Sequence, residues 1–205
     1  MGMRSQIYIS FKKGPKRILI ARYHSWNFAE RMISRAAGII GLIQQHLGSP
    51  FMFNDELEQI LKEACDVNFD YRDILLSKDM TQFEFSEGDY NLFTEEVNNN
   101  GKFFVWVDDD CKAIRYCFSD TTASALMSAQ QYFDWDTKDY EELKREALNE
   151  KANVIDNMLY IQGNATVMTL DELHTFIEGD YGCVVNGIAK DTGSTETQAG
   201  GSHDF

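Results

Sequence analysis

The sequence predicts an α+β domain, in which a largely antiparallel sheet built from two hairpins packs against several helices. Three observations support this class: two pairs of β-type segments flank polar turns, helical spacing follows each pair, and only two prolines occur. A length of 205 residues suits one domain. We expect that domain to cover residues 1–180, basic over 1–50 and acidic over 51–180. Gly, Ser and Thr predict a flexible tail over 181–205.

The first hairpin is expected within residues 1–23. Ile7, Ile9 and Phe11 alternate with less apolar residues, and β-type residues resume at 17–23 after a Lys-rich turn. The stretch 18–21 is apolar at every position, which favours an inner strand covered on both faces.

Two helices are predicted after the first hairpin. Asn27 with Glu30 three residues later is a capping-box variant, so a helix is expected over 27–47. Gly38 and Gly41 within it favour the close approach of another backbone. A second helix is expected after Asn54, and residues 66–100 give only weak signals: a strand at 81–85 and a short helix at 89–97.

The second hairpin and three further helices complete the prediction. Strands at 102–107 and 111–118 flank an acidic turn, and helical spacing follows at 121–133. A long acidic helix is expected over 137–158, and a short strand at 159–161. Thr169 with Glu172 predicts a capping box for a helix over 170–177.

No compact catalytic, cofactor or metal motif occurs in the chain. The four histidines and four cysteines lack metal-ligand spacing, and no phosphate-binding glycine loop is present. We therefore expect no cofactor and no metal, and cysteines that are reduced and mostly buried. His24 and Ser25 form the densest polar cluster at a strand end. They belong either to an active site or to a plain strand-to-helix connector.

Charge is distributed very unevenly along the chain. Residues 1–50 hold eight Lys/Arg and one acid, whereas the rest holds 11 Lys/Arg and 32 Asp/Glu. An acidic body repels nucleic-acid phosphates and attracts proteins with basic grooves. We expect a basic protein as partner and no direct nucleic-acid binding. The residues Lys12, Lys13, Lys16 and Arg17, with Phe11, Tyr23 and Trp26 close by, form either a solubilising hairpin tip or a weak single-strand platform.

The expected partner-binding residues are acids of the second hairpin turn and of the segment after it, with one tryptophan as anchor. They are Asp108, Asp109, Asp110, Asp134, Trp135, Asp136, Asp139, Glu141, Glu142, Glu146 and Glu150. Two alternatives stay open for these acids. Turns favour aspartate for local hydrogen bonds, and helix N-termini favour acids through the helix dipole.

The sequence contains no apolar run of membrane-spanning length and no export signal at its start. We therefore expect a cytoplasmic protein that makes no membrane contact.

Three N-terminal segments carry a resemblance to a known family: residues 3–8, 20–27 and 30–36. Together they resemble a family of small uncharacterised proteins carried by phages and conjugative elements of gut Firmicutes, over about the first 45 residues. The family has no assigned activity. The resemblance implies a mobile-element setting, in which small acidic inhibitors of host defence, including anti-CRISPR proteins, are encoded.

The functional hypothesis is a non-enzymatic acidic inhibitor or adaptor that occupies a basic nucleic-acid groove on a host defence nuclease, such as a CRISPR effector. Two alternatives remain. One is an enzyme of unknown reaction with its site near His24 and Ser25, and the other is an immunity or regulatory protein-binding partner.

Overall fold

The computed structural model describes residues 4–25, 27–48, 55–66, 100–108, 110, 112–149, 153–179 and 183–185. Six strands form one sheet: β1 (Arg4–Lys13), β2 (Lys16–Ser25), β3 (Lys102–Val107), β4 (Ile114–Ser119), β5 (Thr166–Val167) and β6 (Cys183–Val185). The described helices are α1 (Ala29–Gln44), α2 (Asp55–Asp66), α3 (Ala129–Asp136), α4 (Glu141–Asn149), α5 (Val154–Asn164) and α6 (Leu170–Ile177).

The sheet is mixed, with the strand order β5-β4-β3-β1-β2-β6. Both expected hairpins are present, because β1 pairs antiparallel with β2 and β3 with β4. The expectation of a largely antiparallel sheet is wrong: β1 pairs parallel with β3, β2 with β6, and β4 with β5. The pairing of β1 with β3 is parallel because β2 returns the chain to the end of the sheet where β1 begins, and β3 starts at that same end. The α+β class itself is confirmed.

Strand β1 is the centre of the fold because every residue from Ser5 to Phe11 is buried. Ile7, Ile9 and Phe11 point to one face of the sheet, where α1, α2, α3 and α5 contribute to the larger apolar cluster. Tyr8 points to the opposite face, where α6 contributes Leu173 and Phe176 to the smaller cluster. We call these the first and second faces. Residues 18–21 of β2 are buried, as an inner strand requires.

Helix α1 is the main covering element of the first face. Its buried residues include Met32, Ala36 and Ile40, and it packs against α5. The expected close approach at Gly41 involves a side chain, because a Cβ there would lie 3.3 Å from the Tyr160 hydroxyl of α5. The helices pack tightly because glycine leaves room for that ring.

The expected capping box at Asn27 and Glu30 is wrong. Helix α1 begins at Ala29, and Phe28 before it makes no side-chain cap hydrogen bond. The capping box at Thr169 and Glu172 is confirmed, since each side chain accepts a hydrogen bond from the other residue's backbone N–H.

The expected long helix over 137–158 is also wrong. Helix α4 ends at Asn149 and α5 begins at Val154, after Asn153 in the left-handed region at φ 48°. The strand expected at 159–161 lies inside α5. The helix expected at 121–133 begins only at Ala129, where Ser128 and Gln131 form a capping box.

Three residues of the expected tail belong to the sheet. Cys183–Val185 form β6 and pair with Ile18, Leu19 and Ile20 of β2. The prediction of a flexible tail from residue 181 is therefore wrong for residues 183–185, because the outer edge of β2 pairs with them as a further strand. The rest of that tail and the weak signals at 67–99 lie outside the described residues. In the described ranges, no helix is both long and apolar enough to cross a membrane.

Gly101 is a position where only glycine fits. Its φ is +77°, and a Cβ would lie 2.3 Å from the backbone oxygen of Ser119. Gly14 provides a matched control, since its φ of +59° is similar but a Cβ there would meet nothing within 4 Å. We expect Gly101→Ala to lower the free energy of unfolding by about 2 kcal/mol more than Gly14→Ala. Urea denaturation measures both variants, and equal losses would contradict a steric requirement at Gly101.

Candidate functional site

Polar side chains gather at the end of the sheet where β1 and β3 begin and β2 and β4 end. The register aligns Gln6 with Lys102, and Lys102 with Ser119, and all three are fully buried. Buried polar groups need hydrogen-bond partners, so this end of the sheet must be organised by specific contacts. Six further polar residues are linked by hydrogen bonds at this end, and we call them the sheet-end cluster: Ser5, Asn27, Arg35, Asn100, Tyr132 and Asp136.

Asp136 is the central residue of the sheet-end cluster. Its carboxylate accepts hydrogen bonds from the backbone N–H of Ala29 at 2.7 Å and from Asn100 Nδ2 at 2.8 Å. The Tyr132 hydroxyl lies 3.1 Å from Asp136 and 2.9 Å from the Asn100 carbonyl oxygen. A carboxylate at a helix N-terminus is favoured by the helix dipole. Asp136 therefore caps α1 from a distant part of the chain, which explains the missing local cap.

Asn27 has a tertiary role in place of the capping role expected from sequence. Its Nδ2 donates to Ser5 Oγ at 2.8 Å and contacts Met32 Sδ at 3.1 Å. Its Oδ1 accepts from Arg35 Nε at 3.2 Å. These bonds tie the start of α1 to the start of β1.

Burial changes the protonation behaviour of this cluster. It raises the pKa of Asp136, because loss of solvent disfavours the carboxylate more than its hydrogen bonds favour it. Burial also raises the pKa of Tyr132, with the neighbouring Asp136 charge as the next cause. Other groups of this chain hydrogen bond to the Asp136 carboxylate and the Tyr132 hydroxyl, so we assign the pair a structural role.

The acidic turn is built by local hydrogen bonds. Asp108 Oδ1 accepts from the backbone N–H groups of Lys112 at 2.7 Å and Ala113 at 3.0 Å. Asp110 is exposed, 3.6 Å from Lys112 Nζ, and Asp109 lies outside the described residues. The parallel register of β1 and β3 brings this turn to the same end of the sheet as the Lys-rich turn. The two turns of opposite charge therefore lie at one end of the sheet, and the sheet-end cluster lies at the other.

The acids around α3 and α4 occupy several different environments. Asp134 accepts from Lys144 Nζ at 2.6 Å and Gln130 Nε2 at 2.9 Å, and these hydrogen bonds lower its pKa. Glu142 lies 3.6 Å from Arg145. Asp139 and Glu141 are exposed. The side chain of Glu146 and the whole of Glu150 lie outside the description.

Two of the expected partner-binding residues face inward. Asp136 is held in the sheet-end cluster, and Trp135 packs against the larger apolar cluster. The Trp135 ring lies 6.0 Å from the Tyr132 ring between centroids, beside Gly101. Trp135 is therefore corrected from an exposed anchor to a half-buried core residue, because the glycine leaves space for its ring.

A group of exposed hydrophobic side chains was not predicted from the sequence. Among the side chains whose exposure the structure describes, the seven exposed large hydrophobics lie between residues 140 and 170: Tyr140, Leu148, Ile155, Leu159, Tyr160, Val167 and Leu170. A strand was expected at 159–161, so the helical spacing of this segment was not considered. Helical spacing places apolar residues on more than one side of α5. We define the acidic–apolar surface as Asp139, Tyr140, Glu141, Glu142, Leu148, Ile155, Asp156 and Leu159.

The remaining candidate residues lie on the two strands of the first hairpin. His24 and Ser25 end β2, opposite Ser5 and Arg4, and their side chains lie outside the description. Phe11 is fully buried and cannot stack on a base, Lys13 pairs with Glu58 at 2.9 Å, and Arg17 lies over Trp106. These contacts engage three of the seven residues of the single-strand platform considered from sequence, and the side chains of Lys16, Tyr23 and Trp26 lie outside the description.

The described side chains include one cysteine, Cys117. Cys117 is a buried free cysteine, and burial raises the pKa of its thiol, which keeps it protonated. Among the side chains that the structure describes, no three His, Cys, Asp or Glu come together in a way that could hold a metal ion.

Removing the Asp136 carboxylate tests its structural role. We expect Asp136→Ala to lower the free energy of unfolding by about 2–4 kcal/mol, because the buried Ala29 N–H and Asn100 amide lose their acceptor. Asp134→Ala is the control on the same helix, and its exposed ion pair should contribute less than about 1 kcal/mol. Urea denaturation at neutral pH distinguishes them, and equal losses would contradict the role assigned to Asp136.

The raised pKa of Asp136 also predicts a pH dependence. Between the unfolded and folded pKa values the folded state binds more protons, so the contribution of Asp136 to stability falls as pH rises through this window. Protonated Asp136 can donate to the Tyr132 hydroxyl, which then donates to the Asn100 oxygen. We expect the stability of wild type relative to Asp136→Asn to decrease as pH rises from about 4, the unfolded value. An increase would show that hydrogen bonding outweighs burial.

Comparison with protein-family models, curated proteins and solved structures found no match for this chain. The acidic–apolar surface is the candidate functional site, since it combines exposed charge with exposed apolar area.

Proposed function

We propose that the protein is a non-enzymatic inhibitor or adaptor that acts in the cytoplasm and docks its acidic–apolar surface onto a basic partner protein. The partner class is a host defence nuclease with a basic nucleic-acid groove, such as a CRISPR effector. One observation carries the proposal: four of the seven exposed large hydrophobic side chains that the structure describes, Tyr140, Leu148, Ile155 and Leu159, belong to the acidic–apolar surface. The surrounding stretch, 134–178, holds eleven acids and four Lys/Arg.

Electrostatics support a basic partner. Asp139, Glu141 and Asp156 are exposed, and charges of one sign on a surface speed the encounter with a surface of the opposite sign. Lys144 and Arg145 offset part of this charge through their contacts with Asp134 and Glu142. The acids therefore provide steering, while a lasting complex requires apolar burial as well.

The buried groups with raised pKa values support binding more than catalysis. Cys117 is held as a neutral thiol, and Asp136 and Tyr132 hydrogen bond to each other and to Asn100. A nucleophile or general base needs access to substrate and a pKa near the working pH. Cys117 and Tyr132 are fully buried, and the Asp136 carboxylate accepts hydrogen bonds from Ala29 and Asn100, so none of these groups has that access.

A competition assay tests the proposed function. The purified full chain is titrated into purified RNA-guided nucleases bound to labelled target DNA, at low and high salt. We expect release of the DNA, with an inhibitor association rate that falls as salt rises. If the chain displaces DNA from none of the nucleases, the proposed partner class is wrong.

A charge-matched pair of variants locates the binding surface. Asp139→Lys with Glu141→Lys should slow association with an inhibited nuclease by about tenfold and weaken its salt dependence. Asp171→Lys with Glu178→Lys changes the net charge equally at exposed positions of α6 and the residue after it, on the second face. We expect this control to associate at nearly the wild-type rate. Equal slowing by both pairs would show that only net charge matters.

A further inference from the structure

Helix α5 is apolar on more than one side. Val154, Met158 and Ile161 are buried in the first-face cluster. Ile155 and Leu159 lie one helical turn apart on a different side, and they are 50% and 60% exposed. A surface helix normally carries polar residues away from its core-facing side. The packing of the described residues leaves these two side chains exposed, so burial in the core does not explain why they are aliphatic.

The surroundings of Ile155 and Leu159 indicate what would cover them. Asp156 is exposed on the same helix, and α5 packs against α4, which carries Glu141, Glu142 and the exposed Leu148. A second copy of the chain would bring acids against acids, which is unfavourable. A partner segment with aliphatic side chains flanked by Lys or Arg would cover Ile155 and Leu159 and would also place positive charge beside the acids.

We infer that the partner docks through an amphipathic basic helix whose aliphatic side chains pack on Ile155 and Leu159, with its Lys and Arg side chains near Asp156 and Glu141. This inference rests on the proposed function and names the anchor and the partner segment. The two anchors are separated by about 6 Å along α5. Side chains four residues apart on a facing helix have the same spacing, so ridges of one helix fit grooves of the other.

The two parts of the surface have different kinetic roles. A stable interface buries roughly 800 Å² on each partner, and two half-exposed aliphatic side chains supply only a small share of that area. The anchor residues lengthen the lifetime of the complex, because their burial must be undone on dissociation. The acids act earlier, on the rate of encounter.

The test uses a synthetic helical peptide of leucine and lysine as the probe, and a second peptide of equal charge in which serine replaces leucine. Both are measured against the full chain by stopped-flow fluorescence. We expect Leu159→Gln to dissociate about tenfold faster from the leucine peptide, with an unchanged association rate. The serine peptide should bind at least tenfold more weakly than the leucine peptide.

Leu170→Gln is the matched control. Leu170 is 48% exposed, and it lies on α6, which packs on the second face. This variant should dissociate from the leucine peptide at the wild-type rate. Circular dichroism melting checks that each variant is folded. Ile155→Gln repeats the measurement if Leu159→Gln lowers the melting temperature.

Three results would overturn the inference. Equal dissociation rates for Leu159→Gln and Leu170→Gln would show that Leu159 is not an anchor residue. Equal affinity of the two peptides would show that the contact is purely electrostatic. A wild-type dimer in sedimentation that Leu159→Gln dissociates would make a second copy the occupant. Dependence of peptide binding on Leu159, together with failure of the nuclease assay, would retain the anchor and reject only the nuclease class.

Discussion

A single mostly buried carboxylate joins three distant parts of this chain. Asp136 accepts the first N–H of α1, 107 residues earlier in sequence, and the amide of Asn100 at the entry to β3. A buried charge is costly unless it is hydrogen bonded. The carboxylate is therefore satisfied only after α1, β3 and α3 have reached their native positions. This requirement couples helix docking to sheet assembly, and it replaces the local cap that α1 lacks.

A row of buried polar residues at the same end of the sheet also determines the register of the strands. Gln6, Lys102 and Ser119 stand in one row across β1, β3 and β4, and all three are buried. A slip of one residue would turn these polar groups to the other face and place apolar side chains in their positions. The middle of the sheet is apolar on both faces, so many registers would bury similar area there. The polar end distinguishes the native register from the others.

Some local signals in the sequence predicted local structure correctly. Both hairpins and the capping box at Thr169 depend on residues close together in the chain. Asn27 gave a false cap because its side chain bonds to Ser5 and Arg35, which only the tertiary fold brings near. The parallel pairing of β1 with β3 could not be predicted from local patterns for the same reason. The helix break at Asn153 carried no glycine or proline to signal it.

The candidate site was only partly predictable, because an acid in sequence gives no indication of its burial. Asp134 and Asp136 look equivalent in the sequence, yet one pairs with Lys144 at the surface and the other holds α1. Exposed hydrophobic residues are equally hidden until the core-facing side of α5 is known.

Folding also reduces the charge contrast that the sequence suggests. Lys13 pairs with Glu58, the two hairpin turns of opposite charge lie at one end of the sheet, and Lys144 offsets Asp134. The net charge of −14 would attract any basic protein, including many that the chain has no reason to bind. Selectivity between basic partners therefore requires contacts that charge alone does not supply. Among the described residues, Ile155 and Leu159 are suited to that role, because aliphatic side chains gain from burial only where the partner's shape matches theirs.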